Sequence, residues 1–348
     1  MGSTRLRRPP APTDAERARR HCHAARNPHV TIAPRVSRCH AIQRGDSTSR
    51  STVAEDPPER GSWLLDTRPD YADQTTPPVP SPPVRTWLIP TPPAGPPIDD
   101  PADRRLVTTE VLVVLTVSLG LSALRSGLSL VDALLQPVPL NEQQVALNAP
   151  GARADLVDLA VQLARVLQLV GWGALGLYLL LRAGLALRSV GLDGRRPGRD
   201  ALGAAGLAAL IGIPGLGVYL GARALGVSVT IAPTTLDDTW WRLPVLIASA
   251  AANAWAEEVV MVGYLLTRLQ QLGWSENRSL VAQAVLRGTY HLYQGLGGFL
   301  GNIAMGLVFG RVWQRTNRLW MLVGAHTLID VTAFLGYAAL RGRVGWLP

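Results

Sequence analysis

From Leu106 onward the chain is written in long apolar runs separated by short polar ones: Leu106–Leu124, Leu156–Leu181, Ala201–Leu220, Leu243–Leu266, Leu280–Tyr293, Phe299–Trp313 and Trp320–Leu340. An α-helix rising ~1.5 Å per residue needs about 20 apolar residues to cross ~30 Å of hydrocarbon. The pattern therefore predicts an all-α, polytopic transmembrane helix bundle of about seven spans. The fifth and sixth runs are short and interrupted by polar residues, as expected of helices sheltered inside a bundle. Several others are rich in Gly and Ala, which lets helices approach closely in lipid.

Before this region the pattern disappears. Residues 1–105 hold 19 of the 27 prolines and 16 of the 34 basic residues, with tracts such as PPVPSPPV and PTPPAGPP. Such a segment cannot bury enough apolar surface to offset the entropy of ordering it, so it is predicted to be a disordered, solvated tail. The membrane domain is then 106–348. Cys22 and Cys39 lie in the tail among His21, His23, His29 and His40, without the paired CxxC spacing of small zinc modules. No apolar stretch follows the first arginines, so no secretory signal is expected.

Charge changes the picture in two ways. The net charge of +9 and pI near 10.4 come with no nucleic-acid-reading motif, and arginine beside anionic lipid accounts for them without a nucleic acid. The arginines also alternate along the chain. Arg104 and Arg105 precede the first run, Arg182, Arg188, Arg195, Arg196 and Arg199 follow the second, Arg268 and Arg278 the fourth, and Arg311, Arg315 and Arg318 the sixth. The loop before the fourth carries Asp237, Asp238 and the interfacial pair Trp240–Trp241. Arginine excess marks cytoplasmic loops, so a multi-pass protein of the cell membrane with a cytoplasmic N-terminus is expected. Arg341 and Arg343 run against this and are outnumbered.

Ionisable groups inside membrane helices are costly and mark functional sites by default. Three places in the last hundred residues carry them. In NAWAEEVVMVGYLL, Glu257 and Glu258 are adjacent in mid-span and Asn253 lies one turn before Glu257. Two such carboxylates need a cation, and one held near neutrality can serve as a general base. In VAQAVLRGTYHLYQG, the i, i+4, i+8 spacing of Gln283, Arg287 and His291 predicts one polar stripe down a helix, with Glu258 the evident partner for Arg287. In LVGAHTLIDV, His326 and Asp330 share a face, so Asp330 can orient the imidazole or join it on a metal. Gly295, Gly297, Gly298 and Gly301, with Asn302, predict a tight turn between the fifth and sixth spans. The set could activate water through a glutamate and a histidine, or hold zinc through Glu257, His291 and His326; sequence alone leaves both open. No HExxH and no GxSxG occurs, which leaves zincin and nucleophile-elbow sites unsupported.

In this order the three motifs resemble the CAAX-protease and bacteriocin-processing (CPBP, or Abi) family of intramembrane glutamic endopeptidases, whose pattern is EExxxR, FxxxH and Hxxx(Asn/Asp). The resemblance covers roughly 240–340. It implies that Glu257 and His291 activate water, that His326 and Asp330 stabilise the oxyanion, and that Glu258 supports them. Arg287, Asn253 and Asn302 are expected as supporting residues. Two departures stand out: Val262 occupies the family's arginine position, and Arg287 its phenylalanine position. The expected function is an intramembrane endopeptidase, with zinc or no cofactor, acting on a membrane-anchored or lipid-proximal protein segment. The alternative is a non-proteolytic membrane protein, an immunity or scaffold factor or an ion-coupled carrier, using the same buried charges. A carrier would show two repeated halves of discontinuous helices, and no such symmetry is present.

Overall fold

The computed structural model describes residues 97–340 and Arg343. The tail up to residue 96, with its two cysteines and the disorder expected of it, lies outside the described residues. The first helix begins five residues before the expected boundary at 106. Asp100 caps it, accepting hydrogen bonds from the backbone N–H groups of Ala102 and Asp103, and Pro101 occupies the first helical position, where a missing N–H costs nothing.

Eight helices follow: α1 (Pro101–Val117), α2 (Leu119–Leu135), α3 (Asp155–Arg182), α4 (Pro197–Ala224), α5 (Arg242–Gln271), α6 (Glu276–Thr289), α7 (Leu296–Thr316) and α8 (Leu319–Leu340). Two short strands, β1 (Gln144–Asn148) and β2 (Thr230–Thr234), pair in parallel with Gln144 opposite Thr230.

Hydrogen bonds between helix ends sort the molecule into two faces. On one, Ile98 N–H donates to Gln271 O at 2.9 Å, and Arg104 donates to Leu272 O at 2.7 Å. Trp313 reaches Val190 O at 3.1 Å, Arg315 pairs with Glu276 at 2.6 Å, and Arg318 pairs with Asp193 at 2.8 Å and with Asp200. On the other face lie the β1–β2 ribbon, Tyr293 N–H donating to Ser126 Oγ in α2 at 2.7 Å, and Leu296 N–H donating to Val227 O at 2.9 Å. Phe334, late in α8, packs there with Leu236, Trp241 and Val245. The chain thus alternates between the two faces seven times.

The passes are unequal. α3, α4, α5, α7 and α8 are each long and apolar enough to span, and α1 and α2 together make a sixth span bent by 50°. The run expected at Leu280–Tyr293 is different. α6 has 14 residues, about 21 Å at the α-helical rise, short of the ~30 Å core. The helix ends at Thr289, and residues 290–295 complete the crossing as a 3-10 turn (Leu292–Gln294) and Gly295.

The expected glycine turn is also narrower than predicted. Gly295 alone makes it, at φ 86°, where a side chain would meet Ser228 Cα at 2.7 Å; Gly297, Gly298, Gly301 and Asn302 belong to α7. One residue with left-handed backbone suffices to reverse the chain, and the remaining glycines permit close packing instead.

α5 is the axis of the bundle. Buried residues make up 67% of its most apolar window, against 11% for α4, so α5 is enclosed by protein while α4 faces lipid. Leu112, Leu124, Leu167, Leu202 and Ile213 form part of the exposed apolar surface of α1–α4. A second polar clasp crosses from α1 to α5: Tyr264 donates to Glu110 at 2.8 Å, and Arg268 pairs with Glu110 at 2.9 Å while donating to Leu179 O in α3.

Candidate active site

Half-way along α5 the helix changes character. Glu257 ends the α-helical part, and Glu258–Leu266 is a π-helix with all nine residues buried. Such insertions cost local hydrogen-bond geometry and occur frequently at functional sites. Both glutamates are enclosed, Glu257 retaining 3% exposure and Glu258 none.

Their cation comes from the neighbouring helix. Arg287, on α6, is fully buried; its Nη2 donates to Glu258 Oε1 at 2.7 Å and lies 3.3 Å from Glu257 Oε2. Val262, at the expected arginine position, is a buried core residue on α5. One guanidinium therefore bridges both carboxylates, a compensation that a buried acidic pair requires. Gly306 makes room for it. A side chain there would stand 2.9 Å from Ala284 Cα and 3.3 Å from Arg287 Cδ, and Gln283 fixes the same approach by donating to Gly306 O at 2.7 Å.

α8 closes the other side. His326 Nδ1 lies 2.8 Å from Glu258 Oε1 and 3.1 Å from Arg287 Nη2, while Nε2 stands 3.6 Å from Asp330 Oδ2. Asp330 also accepts a 3.3 Å hydrogen bond from Asn253 Nδ2, so Asn253 ties α5 to α8. Nδ1 is engaged by Glu258, while Nε2, at 3.6 Å, lies beyond hydrogen-bond distance of Asp330 and stays open.

His291 does not continue a helical stripe, because α6 stops at Thr289. Its ring nevertheless turns back, Nδ1 donating to Arg287 O at 3.0 Å, the carbonyl that a backbone N–H would have used in an unbroken helix. With Nδ1 so engaged, Nε2 is the ring's free acceptor. The break also brings in a residue the stripe arithmetic passes over. Tyr290, buried and adjacent to His291, donates its hydroxyl to Glu257 Oε2 at 2.8 Å. A tyrosine in an apolar run is ordinary, and only its place immediately before His291 in GTYH could have drawn notice.

Glu257, Glu258, Arg287, His291, His326, Asp330 and Asn253 are thus gathered within three helices and one turn. Glu257 lies within electrostatic range of His326, Arg287 and His291. Asn302 is not joined to them: its amide donates to Gly298 O at 3.0 Å within α7. A separate cavity of about 380 Å³, bounded by Asp193, Pro197, Asp200, Trp320 and Gly324, lies on the arginine-rich face and shares no residue with the cluster.

Residues 239–332 match the family model described as type II CAAX prenyl endopeptidase Rce1-like. This segment is similar to that family. The match runs from the residues before α5 into α8 and takes in every side chain of the cluster. The family is one of proteases, and the chain around the segment is a multi-pass membrane protein. No curated protein and no solved structure matches the chain.

Among the described residues no three or more His, Cys, Asp or Glu side chains are grouped to hold an ion. Glu258 and His326 Nδ1 already face each other and a guanidinium, and a divalent ion would have to displace that cation to reach them.

Proposed function

We propose that the protein is a glutamate-dependent intramembrane endopeptidase that hydrolyses a peptide bond in a membrane-anchored or lipid-proximal protein. The observation carrying this reading is the division of labour around Glu257. Its Oε2 is occupied by Tyr290 and Arg287, its Oε1 has no partner among the described residues, and the next polar ring, His291, has its Nδ1 tied and its Nε2 free.

A water held between Glu257 Oε1 and His291 Nε2 would lose a proton to the glutamate as its oxygen attacks the scissile carbonyl carbon. The carbonyl oxygen gains the charge, and the ring of His326, oriented by Asp330 and Asn253, is the donor nearest to hand for it. Collapse breaks the C–N bond, and the proton on Glu257 passes to the departing amine. One water is consumed, one carboxylate and one amine are released, and the glutamate returns to its starting state. Asp330 acts through His326, beside whose Nε2 it lies at 3.6 Å. Arg287 keeps the two glutamates from repelling each other. No step passes through a metal.

The N-terminus is assigned to the cytoplasmic side, supported by the collection of Arg104, Arg188, Arg195, Arg268, Arg278 and Arg318 on the face where α1 begins. The rival reading, a non-proteolytic scaffold, drew its force from the missing arginine at position 262. Arg287 paired to Glu258 weakens it.

The test uses the full chain in phospholipid vesicles. One quenched fluorogenic peptide ends in a prenylated cysteine followed by three residues, and a second lacks the prenyl group. Cleavage of either should fall about 10²- to 10⁴-fold in Glu257→Gln and in His291→Ala. Cleavage undiminished in both variants would discard the site. Activity lost on chelation, together with stoichiometric zinc, would replace the metal-free mechanism.

A further inference from the structure

We infer that Tyr290 is a positioning residue for the glutamate base, an assignment that rests on the function proposed above. Tyr290 and His291 are consecutive, and the helix ends just before them. The tyrosine goes to the carboxylate, 2.8 Å from Glu257 Oε2. The histidine goes back to Arg287 O at 3.0 Å and presents its other nitrogen. Their rings lie against each other, with centroids 4.7 Å apart, and the Tyr293 ring lies 6.4 Å from that of His291.

The geometry explains why a phenol is needed in addition to Arg287. The guanidinium favours Glu258, at 2.7 Å, over Glu257, at 3.3 Å. It neutralises the pair but fixes only the second carboxylate firmly. The phenol supplies the close contact on Glu257, through the same oxygen that Arg287 approaches. Both donors therefore converge on Oε2, and the carboxylate is held in one rotamer with Oε1 turned out for water. A rigid donor from the residue next to His291 also locks the separation of the two groups that must share that water. Pre-set geometry of this kind is where enzymes gain much of their rate.

The experiment compares Tyr290→Phe with the unaltered full chain on the peptide that it cleaves, and repeats the comparison in a Glu257→Asp background, whose carboxylate is one methylene too short for the phenol. Loss of a hydrogen bond to a charged group predicts a fall of roughly 10- to 100-fold in kcat, with KM unchanged. In the Glu257→Asp background the same substitution should change kcat less than about threefold, since the contact it removes is already gone. An unchanged kcat, a rise in KM alone, or an equal loss in both backgrounds would overturn the assignment. The last comparison decides even if the phenylalanine variant melts earlier, because a purely structural loss carries over to either background. Absence of cleavage by the unaltered protein would instead sink the peptidase reading, and this assignment with it.

Discussion

Among single side chains, Arg287 carries the most consequence. It is wholly buried, touches Glu258, Glu257 and His326, and replaces a cation that the related family places on α5. Removing one partner of a buried ionic group leaves charge without compensation and costs about 3–5 kcal/mol. Arg287→Ala should therefore lower the unfolding transition in detergent by that order and abolish cleavage. Adding Val262→Arg returns a guanidinium four residues along from Glu258 and should restore part of both. A double variant no better than the single one would show that the cation cannot act from α5. These residues were readable from sequence because charge in an apolar run is conspicuous. Tyr290 was not, since an aromatic residue in a membrane helix has many uses and only the bend after Thr289 gives it this one.

At the level of elements, the site depends on how α6 and α7 meet. α6 is too short to cross alone, and its interrupted end is what aims Tyr290 and His291 inward. The run from Leu280 to Tyr293 looked like a continuous helix because period and composition do not register where a helix stops. Close approach of α7 depends on Gly306, where a methyl group would press on the Ala284 backbone and the Arg287 stem. Gly306→Ala should cost about 1–3 kcal/mol by overpacking and reduce kcat by displacing Arg287. Gly301→Ala, at a position with open space, should leave the unfolding transition in place. Equal behaviour of the two variants would contradict this account of the α6–α7 seam.

Residues 97–340 form a two-faced bundle, with the start of α1 and the end of α8 on opposite faces. A membrane-impermeant thiol reagent should label Cys22 and Cys39 only from the cytoplasmic side, and a cysteine added after Pro348 only from the outer side. Labelling of both ends from one side would remove a pass. The arginine-rich face is fastened by Arg318, which bonds Asp193 and Asp200. The hydrogen bond from Arg318, with a second from the Arg195 backbone N–H, holds the Asp193 carboxyl below its ordinary value. An acid so depressed contributes stability above its unfolded pKa of about 3.9 and loses it as pH falls through the lower folded value. Asp193→Asn should therefore melt earlier than the unaltered protein at neutral pH, and the gap should close only in strong acid. A gap that closes near pH 6 would assign the effect to another group.

The sequence by itself determined that the chain is a helical membrane protein and which residues are out of place in lipid, because both follow from one-dimensional facts: run length, and the cost of burying charge. It also carried the order of motifs through which residues 239–332 match a family model. Only the tertiary structure decided which groups touch. That Arg287 reaches across to Glu258, that Asn253 serves Asp330, that Asn302 stands aside, and that Tyr290 reaches Glu257 all depend on where helices end and how near they pack. Contacts between distant segments arise from three-dimensional packing, and helical spacing describes only neighbours along one helix.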